Sequence, residues 1–106
     1  MALLHAYNFY TGLVTSVLPA VTTAYTVPTG KRIIVRQVEW RNNSGSISHS
    51  AYFRNSGILL HSVVLAAGGN GSWATWLVMM PGDTIQLACS NAAGVNVSVS
   101  GSIYDI

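Results

Sequence analysis

The sequence predicts an all-β protein: a single antiparallel β-sandwich of about seven or eight strands, jelly-roll-like, with an apolar N-terminal arm. Three observations lead there. Turn chemistry recurs at intervals of roughly eight to fourteen residues, and no segment sustains a helical period. The closing stretch GVNVSVSGSIY alternates strictly, with Val95, Val97, Val99, Gly101 and Ile103 on one face and Asn96, Ser98, Ser100, Ser102 and Tyr104 on the other.

Residues 1–19 carry Leu3, Leu4, Tyr7, Phe9, Tyr10 and Leu13 without one charge, a composition poorly suited to a tail in water. They are expected to form an arm that binds a neighbouring subunit or a particle surface, leaving residues 20–106 as the sandwich domain. TTAYTV ends at PTGK, where Pro28 suits the first central position of a turn and Gly30 can take positive φ, a hairpin signal. RIIVRQVEW closes at RNNSGS, and ISHSAYFR then alternates loosely as a further strand. NSG precedes ILLHSVVLAA. In GGNGS the pair Asn70-Gly71 is typical of a tight turn, and PGD separates WATWLVMM from TIQLACS. Gly30, Gly71 and Gly82 are therefore expected at positive φ or in tight turns.

WATWLVMM is bounded by turns and lies among strands, so it reads as a strand although Trp73, Trp76, Leu77 and Met80 would also align on a helix. Both of its faces are apolar. Thr75 makes the odd-numbered face slightly the more polar, which places Trp76 in the core and Trp73 near a subunit contact. The other covering for Trp73 is a loop, or the N-terminal segment, of the same chain. The expected core is Ile33 or Ile34, Val35 or Val38, Leu59, Trp76 and Val78, together with Ile85, Leu87, Val95, Val97 and Val99.

Composition narrows the function classes. Charged residues make up 8% of the 106, against about 25% in ordinary globular proteins, and mean hydropathy is +0.41. So few charges imply that other protein covers much of the surface. The uncharged stretch at residues 55–82 is broken by His61 and GGNG into pieces too short for a spanning helix, so no membrane role is expected. The N-terminus has no basic leader region and is not expected to be a secretory signal. Cys89 is the sole cysteine, and the N-x-S triplets at Asn42, Asn70 and Asn96 read as chance in a chain rich in Asn and Ser.

Chemistry is sparse. Glu39, Asp83 and Asp105 are scattered. His5, His49 and His61 lack ligand spacing, and no G-x-S-x-G elbow or phosphate loop is present. No enzyme activity, metal or cofactor is expected. Positive charge concentrates in KRIIVRQVEWR, where Arg32 and Arg36 share a face and suit an acidic partner, or simply solvate a strand. A net charge of +2 without interleaved aromatics argues against nucleic acid.

YTVPTGKR, LAAGGNGSW, WLVMMPGDTI and the closing GVNVSVSG, within residues 21–104, resemble the small β-sandwich virion proteins of tailed bacteriophages, of the minor tail protein or head decoration type. The resemblance implies a non-enzymatic structural subunit, assembled in the host cytoplasm and located in the virion. Its partners would be copies of itself, as a trimer or ring, and major capsid or tail proteins. Leu3, Leu4, Tyr7, Phe9, Tyr10, Leu13, Trp73, Arg32 and Arg36 are the expected interface. The competing class is a carbohydrate-binding sandwich that stacks sugars on Trp73, Tyr52 or Tyr104.

Overall fold

A computed structural model describes the backbone of residues 3–106 and the side chains from Tyr7 onward. The described residues form eight strands and no helix: β1 (Leu3–Val14), β2 (Thr22–Thr26), β3 (Lys31–Asn42), β4 (His49–Asn55), β5 (Ile58–Leu65), β6 (Asn70–Met79), β7 (Thr84–Cys89) and β8 (Val95–Asp105). They make two four-stranded antiparallel sheets. Sheet A has the order β1-β8-β3-β6 and sheet B the order β2-β7-β4-β5. Only β4 and β5 are consecutive strands paired within one sheet, and every other connection crosses between the sheets. This is the jelly roll that the sequence pattern predicts.

The turns explain the crossings. Pro28 to Lys31 closes with a 3.1 Å bond from the Lys31 amide to the Pro28 carbonyl, and Gly30 has φ 78°. The turn is tight as expected, yet it joins β2 of sheet B to β3 of sheet A and is not a hairpin. Met80 to Asp83 likewise turns at Gly82, φ 88°, with the Asp83 carboxylate accepting from the Met80 amide. Gly71 departs from expectation. It lies inside β6, and the turn is made by Ala66 to Gly69, with Gly68 at φ 66°. The one true hairpin turns at Ser56 (φ 48°) and Gly57 (φ 92°), both left-handed, as a two-residue connection requires.

Between the sheets lie Ile33, Val35 and Val38 of β3, Val95, Val97 and Val99 of β8, Ile85 and Leu87 of β7 and Phe53 of β4, all buried. Each such side chain contributes about 1.5–3 kcal/mol by leaving water. The central strands therefore match the expected core. The edge strands do not. Leu59, Trp76 and Val78 are 53%, 61% and 42% exposed. Register is the cause: β6 pairs Val38 with Trp73, Val35 with Leu77 and Ile33 with Met79, which turns the odd-numbered face inward and Trp76 outward. Thr75 was a poor guide because it sits at a sheet edge, where a threonine is tolerated on either face.

The N-terminal segment is also placed differently from a detached arm. Residues Leu3–Val14 pair with β8 of their own chain, completing sheet A at its edge. Phe9 packs into the core within 5.0 Å of the Tyr25 ring and 5.2 Å of the Tyr7 ring, centroid to centroid, and this aromatic cluster closes the β1/β2 flank. Burial, then the neighbouring Tyr7 hydroxyl, raises the Tyr25 phenol above its ordinary pKa.

Candidate functional site

The chemistry-bearing side chains are mostly structural. Among the described residues no three of His, Cys, Asp and Glu gather as a metal-binding group. The Cys89 thiol is buried and aimed at the carbonyls of Val14, Ser16 and Asn91 at 3.1–3.5 Å. Burial pushes its pKa up, so the nucleophilic thiolate is suppressed. Asn42 is fully buried, which removes it as a glycan acceptor; its side chain instead ties loops together.

His61 stacks flat on Trp73, ring centroids 4.4 Å apart and planes 3° from parallel, while Phe53 meets the same indole edge-on at 5.3 Å. Desolvation lowers the His61 pKa. The folded chain therefore takes up the His61 proton less readily than the unfolded chain. The stability linked to this group is fully present above the unfolded value of about 6.5 and is lost as pH falls through the lower folded value. Urea titrations at pH 7 and pH 5 are expected to show a smaller acid destabilisation in His61→Phe than in the wild type. An unchanged pH dependence would remove His61 from the account.

The expected interface residues separate into groups. Phe9 is buried, and Tyr7, Tyr10 and Trp73 pack against the same core, so these four are committed within the chain. The reason is that β1 and β6 both lie in sheet A with these residues turned toward sheet B. Leu13 is 47% exposed on β1. Arg36 lies over the Trp76 ring, its guanidinium carbon 4.3 Å from the centroid, while Arg32 is half-buried opposite Tyr104. The side chains of Leu3 and Leu4 lie outside the described residues. Trp73, one of the expected sugar platforms, is thus covered on one face by His61.

Two surface features emerge that the linear pattern concealed. The first is the distribution of charge. All five Lys/Arg and all three Asp/Glu residues sit on β3, β4, β8 or the β6–β7 turn, so the four edge strands β1, β2, β5 and β6 carry no charge at all. Edge strands in soluble proteins are normally guarded by charge, above all lysine, because their unpaired amides and carbonyls invite another strand. On the β5/β6 flank the unguarded edges also expose Ile58, Leu59, Leu60, Val64, Val78 and Met80.

The second is the outer face of sheet A. Registered pairs set polar side chains in rows: Thr11, Ser98, Glu39 and Ser72 across all four strands in one, and Asn96, Arg41 and Asn70 across three in the next, where β1 contributes the apolar Leu13. A hollow of about 680 Å³ lies over these rows. No family model matches this chain, and no curated protein matches it in sequence.

Proposed function

We propose that this protein is a non-enzymatic structural subunit that assembles with copies of itself into a closed trimer or ring, as a minor tail or capsid-decorating component of a tailed-phage virion. The observation that carries the assembly is the absence of charge from all four edge strands, joined to the apolar β5/β6 flank. A closed ring uses two different patches per subunit. The sandwich has two uncharged flanks, β1/β2 on one side and β5/β6 on the other. Docking β6 of one copy beside β1 of the next extends sheet A, pairs both edges and hides Ile58, Leu59 and Leu60 of β5. A standard interface removes about 1,600 Å² from water, which suits a chain this poor in charge. The placement in a virion rests on the motif resemblance in residues 21–104 and agrees with the use of jelly rolls in viral capsids. Among the described residues no helix is long and apolar enough to cross a membrane.

The assembly is tested by mass photometry of the wild type, Leu59→Lys and Leu13→Lys. A lysine facing an apolar contact costs several kcal/mol, and each 1.4 kcal/mol is tenfold in affinity, so each variant is expected to associate about a hundredfold more weakly. Mixing the two variants should restore a dimer, because each keeps the flank the other has lost. A wild type that stays monomeric at high concentration overturns the reading. Mass spectrometry of purified phage particles tests the virion placement.

A further inference from the structure

We propose that the outer face of sheet A is a binding site for a neutral oligosaccharide, which lies along β8. The centre of the site lies on β8 and β3, between the β1 and β6 edges that the assembly would pair, and sugar binding does not require that pairing. Its floor is made where Gly12, Val97, Trp40 and Gly71 stand side by side in register across the four strands. Val97 and Trp40 turn their side chains into the core and the two glycines have none, so only main chain fills this level of the outer surface. For a ligand that runs along β8, Arg41 and Glu39 of β3 stand on one side, and Leu13 and Thr11 of β1 on the other. Along β8 the outward positions are Asn96, Ser98, Ser100 and Ser102, all short, and a second, separate hollow of about 530 Å³ lies further along at Ser100, Ser102, Arg36 and Asn8. At about 3.3 Å per residue, Asn96 to Ser102 gives a trough of roughly 20 Å.

The chemistry of the walls selects the ligand. Among the described residues the ion pair present is Lys31–Asp105, on the end of the sheet, and Glu39 and Arg41 have no ionic or hydrogen-bonding partner although both rise from a central strand on the same face. Both side chains are exposed, so their acceptor and donor groups are open to a ligand. Serine hydroxyls donate and accept, asparagine amides do both through separate atoms, the Glu39 carboxylate accepts and the Arg41 guanidinium donates as a fork. A sugar presents the complement, hydroxyls that each donate and accept, with CH faces for the apolar glycine backbone and side-chain stems. Glu39 at the centre of the trough repels a polyphosphate backbone. A peptide gains its main-chain bonds at a sheet edge, not over a face whose backbone is already paired. Trp76, 61% exposed beside the Arg36 end, adds aromatic surface at the margin. Each hydrogen bond to such a site exchanges with water and adds little net. Single-site affinity is therefore weak, and a symmetric array of linked sites would raise it by about 10²–10⁴.

The experiment incubates the full-length protein on an array of neutral and acidic oligosaccharides. The best-retained neutral glycan is then titrated by calorimetry against the wild type, Glu39→Gln, Ser98→Val and, as a control on the outer face of sheet B, Ser62→Val. Retention of a neutral glycan is expected, with at least tenfold weaker binding in the two trough variants, none in the control, and the same thermal midpoint in all four proteins. Three results overturn the proposal: no neutral glycan retained by the wild type, glycan binding that survives both trough variants, or a preference for a single-stranded oligonucleotide over every glycan. Mass photometry of the same samples reports the assembly separately, so a monomer that binds sugar refutes the ring and leaves the trough standing.

Discussion

Replacing Gly101 by alanine is expected to abolish folding or to remove most of the stability. A Cβ at this position would sit 1.9 Å from the Ile34 carbonyl oxygen, 3.0 Å from its carbon and 3.1 Å from the Arg36 amide nitrogen. Ordinary contacts are at least about 3.5 Å, and all three atoms are backbone, so no rotamer change relieves the clash. The approach has a cause. β3 bulges between Val35 and Gln37, directly opposite Gly101, and the bulge carries the β3 main chain against β8. Both strands are central in sheet A, so parting them opens the sheet and the core beneath. The cost should exceed about 4–5 kcal/mol, beyond the usual range for point substitutions and a large part of the roughly 5–15 kcal/mol that holds a domain together. Gly45→Ala is the control, because a Cβ there meets nothing within 4 Å; it should stay within about 0.5 kcal/mol. A urea midpoint for Gly101→Ala close to that of Gly45→Ala would mean that β3 and β8 separate locally at little cost. The same bulge places Arg36 over Trp76 and so shapes the end of the proposed sugar trough.

How much of this was legible in the sequence depended on where each strand lies. β8, β3 and β7 are central and see solvent on one face at most, so their alternation reports burial directly, and Val95, Val97, Val99, Ile85 and Leu87 are buried as the pattern implies. β6 is an edge strand with apolar residues on both faces, and its orientation is decided by pairing with β3, a strand distant in sequence. Local pattern carries no such information. The N-terminal segment poses the same problem in stronger form: its lack of charge calls for a covering surface, and on one side topology supplies the far C-terminal strand of its own chain. The uncharged edges were visible only as gaps in the charge sequence until topology assigned those gaps to β1, β2, β5 and β6. Gly101 did leave a signal, a lone glycine in a run of alternating valines, which marks a bulge or a close backbone approach. The trough left none, because Thr11, Glu39, Asn70 and Asn96 become neighbours only through register.

Asn42→Ala is expected to cost about 3–5 kcal/mol, although nothing in its sequence context distinguishes it from the exposed asparagines. Its side chain is 1% exposed. The two hydrogens of the amide nitrogen are shared among the carbonyls of Ile47 at 2.7 Å, Ala66 at 3.0 Å and Leu65 at 3.2 Å. The oxygen accepts from the Ser44 amide at 2.9 Å and from His49 Nε2 at 2.6 Å. That orientation is forced by the three carbonyls, and it requires the proton of His49 on Nε2. One side chain thus joins the end of β3, the loop after it, the start of β4 and the crossover from β5 to β6. Alanine leaves these groups without partners in a place that water enters poorly, and each unsatisfied group costs about 1–3 kcal/mol, with partial relief by rearrangement. Asn42→Asp tests the orientation. It keeps the size but turns an oxygen toward the three carbonyls, so it should be at least as damaging as alanine. Because the crossover feeds β6, hydrogen exchange at Gly68, Gly69 and the first residues of β6 should rise in both variants. The exposed pair Asn96–Asn43 supplies the comparison: Asn43→Ala should stay within about 1 kcal/mol. Equal stability of Asn42→Ala and Asn43→Ala in urea would show that the backbone bonds of these loops hold the crossover without the Asn42 side chain.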